Sequence, residues 1–230
     1  MDDIEQMDPL VEARLMADAV ASSLPKSIPI HALPMQSKIP FKVFSLRETL
    51  LHRASALASP AVTLLEAGNV VSGVLLTRAV METVAILADL QAKLDAFVKT
   101  PDVGAMDTFL MKGMFANRQE KGGIKDEFYT SSIMSSIDRL DKKFNGFREM
   151  YDTLSEYSHP NYSGVFGAFG TVDQEKFMLE LGLKKDESSV SVGANALAST
   201  MNILVHYYDE MPALMVALNR HFEPSWVENS

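Results

Sequence analysis

Apolar residues recur at helical spacing along most of this chain, and the repeat is longest between about residues 193 and 222. The intervals there alternate between four and three residues, as in the seam along which helices pack in a bundle or coiled coil. The seam consists of Leu197, Met201, Leu204, Tyr208, Met211, Met215, Leu218 and Phe222. Pro212 lies inside this predicted helix, and we expect a kink there because the Tyr208 carbonyl loses its backbone partner.

Similar periodicity predicts further helices upstream. Their approximate limits are 45–58, 60–67, 70–98, 102–116, 127–145 and 147–158. Glycine and aromatic residues replace this pattern after Ser163, and the sequence that follows predicts a β-hairpin pairing about 165–172 with 176–182. The expected fold class is therefore mainly α, a helical bundle with a small β-hairpin insertion near 165–182.

The first forty residues differ in pattern from the rest of the chain. Residues 1–24 read as a short amphipathic helix, whereas residues 25–40 contain four prolines, which remove backbone donors and disfavour helix. Apolar side chains between these prolines favour an arm that packs on the body. We therefore expect an N-terminal helix and proline-rich arm over 1–40 and a single helical-bundle domain over 41–230.

Composition excludes several classes of protein. The chain has 230 residues, of which 47% are hydrophobic and 22% charged, and it contains no cysteine. These values exclude wholesale disorder, a disulfide scaffold and metal sites built on cysteine thiolates. The net charge of −9 argues against a broad nucleic-acid surface, so we expect no DNA partner.

The segment from Val70 to Leu90 is apolar and long enough to span a bilayer. It also contains Arg78, Glu82 and Asp89, each of which is costly in lipid. The acidic N-terminus has no basic or apolar region of the kind found in signal peptides. We therefore expect a buried central helix in a cytoplasmic protein that makes no membrane contact.

The chain contains no phosphate-binding glycine loop, zinc-protease motif, nucleophile elbow or EF-hand loop. The histidines lack metal-ligand spacing, so we expect neither a metal site nor a cofactor. The first candidate site lies on the central helix, where Arg78, Glu82 and Asp89 fall within roughly 40° of one another. These residues form either a narrow solvent face or a partly buried pair that lines a cavity or reaches another helix.

The second candidate site lies at the end of the predicted 147–158 helix. His159 precedes Pro160, so it sits at the helix C-terminus, where the dipole favours the imidazolium form. Ser155 is one turn earlier and within reach of the ring. His159 is either a capping residue whose ring bonds a backbone carbonyl, or an acid or base with a chemical role.

Together the two candidate sites resemble a known family. An apolar helix with Arg-x-x-x-Glu, at Arg78 and Glu82, precedes the pattern Tyr-x-x-Leu-Ser-x-x-x-His-Pro between Tyr151 and Pro160. This combination resembles a bacterial family of helical proteins that is distantly similar to the HEPN superfamily. The resemblance implies a helical bundle that often dimerises, and it implies either a metal-independent ribonuclease of toxin or antiphage systems or an inactive binding module.

Active members of the superfamily are expected to carry an arginine four to six residues before the histidine. Here the nearest upstream arginine is Arg148, eleven residues before His159 and roughly 16 Å away along a helix. That spacing is too long for both side chains to grip one phosphate. Arg78 could replace Arg148 only if the central helix faces the helix that carries His159.

Three functional hypotheses follow from the sequence. The leading one is a polar pocket that binds a small anionic or nucleotide-like ligand, in a bacterial stress or antiphage system. The pocket residues would be Arg78, Glu82, Tyr151, Ser155, His159 and Asn161. The second is a metal-independent ribonuclease of HEPN toxin type, in which His159 acts on RNA as acid or base. The third is a non-enzymatic dimerisation or interaction module. We expect a homodimer, joined through the seam of the last helix.

Overall fold

A computed structural model describes residues 7–115, 133–184 and 186–223 of the chain. Within these ranges the helices are α1 (Pro9–Ser23), α2 (Ile39–Glu66), α3 (Val70–Lys99), α4 (Val103–Phe115), α5 (Ile133–Asp141), α6 (Phe147–Ser158), α7 (Phe166–Phe169) and α8 (Glu187–His221). A short 3-10 turn occupies Ile30–Ala32, and two strands, β1 (Gly170–Asp173) and β2 (Met178–Leu181), form one antiparallel hairpin. The predicted fold class, a mainly α bundle with a small β-hairpin, is confirmed.

The central helix α3 carries the core of the bundle. It packs along α2 and α8 and also against α5 and α6. Its N-terminus is fixed by Asn69, whose side chain accepts a hydrogen bond from the Ser72 amide. Gly68 precedes that cap with a positive φ of 75°, which lets α2 reverse into α3 within a tight corner. The expected break at Gly68 and Asn69 is therefore confirmed.

The C-terminal seam packs inside the chain. Six of its side chains are at most 2% exposed, namely Leu197, Met201, Leu204, Met211, Met215 and Leu218. Helix α8 lies against α1, α2 and α3, so the apolar surface of the seam is covered by the chain's own helices. Pro212 lies within α8.

Several predicted boundaries were wrong. Helix α2 runs without interruption through Ser45 and Pro60, where the sequence had suggested a start and a break. Helix α8 begins at Glu187, earlier than the expected 193. Residues 1–6 of the predicted first helix, and 127–132 of the predicted 127–145 helix, lie outside the described residues; α5 ends at Asp141.

Helix α1 packs against α2 and α8, with Ala13, Ala17 and Val20 buried in the common core. Among the described helices, α3 is long and apolar enough to cross a membrane by length and composition, and 56% of its most apolar window is buried inside the bundle.

The hairpin is amphipathic. Its register pairs Gly170 with Leu181 and Val172 with Leu179, and these residues share one face because paired positions in a ladder point the same way. The opposite face pairs Thr171 with Glu180 and Asp173 with Met178. The expected first strand is shorter than predicted, because residues 166–169 form the helical turn α7.

Candidate functional site

Arg78 and Glu82 of α3 are joined through Tyr151 of α6. The Arg78 guanidinium donates to the Tyr151 hydroxyl at 2.8 Å, and that hydroxyl donates to Glu82 Oε1, also at 2.8 Å. The guanidinium carbon lies 4.7 Å from the centre of the Tyr151 ring, while the closest Arg78–Glu82 contact is 3.8 Å. The phenol is therefore the bridge between the two charges.

The environment of Tyr151 keeps its hydroxyl protonated. The residue is 3% exposed, and burial raises the pKa of the phenol; the Glu82 carboxylate acts in the same direction while Arg78 opposes it. A protonated hydroxyl can accept from Arg78 and donate to Glu82 at the same time. This arrangement, which we call the Tyr151 bridge, ties α6 to α3 and occupies the guanidinium that the pocket hypothesis assigned to a ligand.

The third charged residue of the central helix makes a parallel connection. Asp89 accepts hydrogen bonds from Ser136 Oγ at 2.7 Å and from Arg139, with Nε at 2.8 Å and Nη2 at 2.6 Å. The hydrogen bond to Asp89 is the main reason that the pKa of Arg139 is raised. The charged face of α3 is thus neither a bare solvent face nor a cavity wall: it is the surface on which α5 and α6 dock.

The remaining predicted site residues lie apart from the Tyr151 bridge. Ser155 donates its hydroxyl to the Tyr151 carbonyl of its own helix at 2.8 Å. His159 is the exposed C-terminal residue flanking α6, about 12 Å beyond Tyr151 along the helix axis. Asn161 bonds Glu156 and the Gly164 amide. The structure therefore brings together Arg78, Glu82 and Tyr151, whereas Ser155 and Asn161 make local hydrogen bonds and His159 is exposed at the end of α6.

A second arginine–tyrosine–glutamate cluster was missed by the sequence reasoning. Arg47 and Glu48 of α2 are buried, and the Arg47 guanidinium carbon lies 3.5 Å from the centre of the Tyr208 ring. Arg47 donates to Glu48 and, at 2.9 Å, to the Tyr208 carbonyl, and the Tyr208 hydroxyl donates to Glu48 at 2.8 Å. Pro212 deprives that carbonyl of its helical donor, so Arg47 supplies the missing hydrogen bond.

A small cleft was also missed. It has a volume of about 280 Å³ and lies where the N-termini of α3 and α8 meet the turn that follows α6. Ser189 on its wall donates to Asp186, and the Tyr157 hydroxyl lies 2.9 Å from Ser189 Oγ. The hydrogen bond from Ser189 is the main cause of the lowered pKa of Asp186. The signal available in the sequence was the polar run from Lys184 to Ser189.

The surface next to this cleft is apolar. Ten exposed apolar side chains lie between residues 162 and 183, which we call the apolar segment 162–183. They are Tyr162, Val165, Phe166, Phe169, Val172, Phe177, Met178, Leu179, Leu181 and Leu183. Phe177 is 94% exposed and has a φ of 52°, a left-handed conformation that a bulky residue seldom adopts.

No group of three or more His, Asp or Glu side chains that could hold a metal ion occurs within residues 7–115, 133–184 and 186–223. Comparison of the chain with protein-family models, with curated proteins and with solved structures returned no match. The similarity to the HEPN superfamily therefore remains an expectation from the sequence motifs.

Proposed function

We propose that this protein is a non-enzymatic interaction module that self-associates through the apolar segment 162–183. The observation that carries the proposal is the concentration of exposed apolar side chains on and around the hairpin. Monomeric proteins seldom expose contiguous apolar patches larger than a few hundred Å², and larger patches mark interaction sites. The helical bundle provides the rigid support on which the segment is displayed.

The size of the apolar segment matches an interface between proteins. Leaving out Met178, which lies on the opposite face of the hairpin, the other nine exposed side chains offer roughly 900 Å² if each contributes on the order of 100 Å². A standard interface buries about 800 Å² on each partner. A two-stranded hairpin is also only marginally stable in water, so a surface that covers its apolar face stabilises the hairpin itself.

A second copy of the chain fits this surface. The apolar segment 162–183 carries three carboxylates, Asp173, Glu175 and Glu180, against one cation, Lys176, so it holds a small part of the chain's overall charge of −9. Two copies can therefore approach through this segment with little repulsion. Stacking two hairpins face to face about a two-fold axis covers Val172, Leu179 and Leu181 of both copies.

The ribonuclease hypothesis has less support from the arrangement of side chains. Arg148, the arginine nearest to His159 in the sequence, is paired with Asp138 and Asp152. Arg78 is engaged by the Tyr151 bridge. A phosphate at His159 would therefore compete with the carboxylates that pair with Arg148 or with the Tyr151 bridge that engages Arg78.

Light scattering after size-exclusion chromatography tests the proposal at tens of micromolar protein. We expect the wild-type chain to be dimeric and Leu179→Glu to be monomeric, since a carboxylate cannot be buried in the apolar contact. The matched control is Val216→Glu, because Leu179 and Val216 are equally exposed, each at 50%, and Val216 lies at the far end of α8. Circular dichroism establishes that each variant is folded. A monomeric wild type, or a dimeric Leu179→Glu, would contradict the proposal.

A further inference from the structure

The cleft of about 280 Å³ is lined by oxygen-bearing side chains, by a cation and by apolar side chains. Asp186, Ser189 and Tyr157 form one end, and Lys184 contributes a cation. Val70, Val71 and Leu183 supply apolar surface. Since one water molecule occupies about 30 Å³ in the liquid, the cleft accommodates the volume of about nine waters. A ligand the size of a single amino acid fits that space.

The hydroxyl groups at one end have a fixed direction. Ser189 has a single hydroxyl proton and donates it to Asp186 Oδ2. The contact of 2.9 Å between Tyr157 and Ser189 therefore has Tyr157 as its donor. The lone pairs that remain on the Tyr157 oxygen and on the Asp186 carboxylate can only accept hydrogen bonds. This end of the cleft is complementary to a group that carries several N–H donors.

The cation lies beside the acceptor end. The Lys184 amide donates to the Ala168 carbonyl at 2.9 Å, which holds the lysine backbone on the cleft wall. Its ammonium forms no ion pair with any residue in the described part of the chain. Among the described residues, the lining of the cleft thus contains one carboxylate, that of Asp186, and one cation, that of Lys184, which is open to a ligand carboxylate.

We propose that this cleft binds a small zwitterion, an α-amino acid with an apolar or aromatic side chain. The ligand ammonium donates to Asp186 and Tyr157, the ligand carboxylate pairs with Lys184, and the side chain lies against Val70 and Leu183. A phosphate or nucleotide is disfavoured because its charge would face the Asp186 carboxylate, with Lys184 as the one cation among the described residues that line the cleft. All the lining residues of this site belong to one chain, so binding does not require self-association, although Tyr162 and Leu183 also belong to the apolar segment 162–183.

Isothermal titration calorimetry with L-phenylalanine and L-leucine as probes tests the site. Two analogues isolate the charged groups: 3-phenylpropanoate lacks the ammonium and 2-phenylethylamine lacks the carboxylate. We expect saturable binding of at least one amino acid, and affinity lower by about tenfold or more for each analogue of the ligand that binds. If L-leucine is the ligand, 4-methylpentanoate and 3-methylbutylamine are the corresponding analogues.

Two variants test the residues. Lys184→Met and Tyr157→Phe are each expected to weaken binding by about tenfold. Lys176→Met is the matched control, because Lys176 lies on the hairpin and pairs with Asp173 outside the cleft. We expect Leu179→Glu to retain binding, which separates this site from the self-association surface.

The outcomes that overturn the proposal are specific. Absence of binding by both amino acids would remove the site. Equal affinity for an amino acid and its two analogues would show that the charged groups do not recognise it. Binding that Lys184→Met and Tyr157→Phe leave unchanged would place the ligand elsewhere. Binding of inorganic phosphate or AMP in preference to the amino acids would replace the zwitterion with an anion.

Discussion

The Tyr151 hydroxyl holds two oppositely charged side chains of the neighbouring helix. It accepts from Arg78 and donates to Glu82, so both of its hydrogen-bonding roles are used. Removing any one of the three groups leaves the other two short of a partner in a partly buried place. The cost of such a change is set by the groups that remain, because an unsatisfied polar group loses its hydration without compensation.

Arg78→Ala is expected to lower the free energy of unfolding by about 2 kcal/mol, because Glu82 loses its nearest cation. Urea denaturation measures this change. The matched control is Lys99→Ala, since Lys99 also pairs with a carboxylate four residues away, in Asp95, but its side chain is 71% exposed. We expect that control to cost less than about 0.5 kcal/mol. If the two variants lose equal free energy of unfolding, Arg78 contributes no more to stability than an exposed residue does.

Tyr208 makes stability sensitive to alkali. Burial, together with the hydrogen bond to Glu48, raises the pKa of Tyr208 from 10.0 to about 12. Because the folded pKa exceeds the unfolded value, this contribution to stability is complete below pH 10 and is lost as the pH rises through about 12.

We expect Tyr208→Phe to be less stable than wild type near neutral pH, since Glu48 loses a donor, and to lose less further stability between pH 10 and 12. Urea midpoints of the two proteins across this range measure the difference. Parallel loss of stability in wild type and variant would show that Tyr208 does not titrate in this window.

Among the elements, α2, α3 and α8 meet at one leucine. Leu65 of α2 is buried between Gly73 of α3 and Gly193 of α8. A Cβ at Gly73 would lie 2.7 Å from Leu65 Cγ, and one at Gly193 would lie 2.8 Å from Leu65 Cδ2. The two glycines therefore allow three helices to approach around a single side chain.

A double-mutant cycle tests this contact. Gly193→Ala is expected to destabilise the wild-type protein by about 1–3 kcal/mol through overpacking. In the Leu65→Ala background the same change is expected to cost less by about 1 kcal/mol or more, because the contact with Leu65 is gone and only the 3.3 Å approach to Val74 Cγ2 remains. Gly104→Ala is the control, since its nearest contact would be an ordinary 3.6 Å. An additive cycle would refute the coupling.

Helix positions were predictable where the apolar repeat is long, as along α3 and α8. The break expected at Pro60 was wrong because α2 is exposed at Ala56, whose carbonyl loses its helical donor there and can bond water instead. The approach of Arg78 and Glu82 to Tyr151 agrees with the interpretation that this pair is partly buried and reaches another helix. Ser155 does not bond His159, because its hydroxyl donates to the Tyr151 carbonyl of its own helix. Spacing in the sequence does not show whether a serine hydroxyl bonds a nearby side chain or the helix backbone.

The cluster around Arg47 could not be predicted from the sequence. Its parts are adjacent residues of α2 and a carbonyl 161 positions later, so only the packing of α2 on α8 joins them. The position of Pro212 in the sequence shows that the Tyr208 carbonyl lacks its helical donor. It does not show which group supplies the hydrogen bond instead. The cleft could not be predicted from the sequence either, because α3, α6 and α8 all contribute to its lining.

The charge of the whole molecule sets its expected behaviour toward RNA. Among residues 7–115, 133–184 and 186–223, five arginines are paired with carboxylates: Arg14, Arg47, Arg78, Arg139 and Arg148. With a net charge of −9 in addition, the chain lacks the electrostatic attraction that supplies most non-specific affinity for nucleic acid.

We therefore expect no cleavage of total RNA by the purified protein in the absence of divalent metal. Gel electrophoresis of the incubated RNA, beside the His159→Ala variant, measures this. Cleavage by the wild type that is lost in the variant would establish His159 as a catalytic residue and restore the ribonuclease hypothesis.

The contact between α1 and α8 has a consequence for synthesis of the chain. Asn202 of α8 donates to Glu12 of α1, 190 residues earlier. At about 5–20 residues per second, a ribosome leaves α1 without α8 for roughly ten to forty seconds. During that interval α1 can contact α2, but the part of its buried face that packs on α8 has no partner. The nascent chain therefore offers this helix to chaperones and proteases for a time that the elongation rate determines.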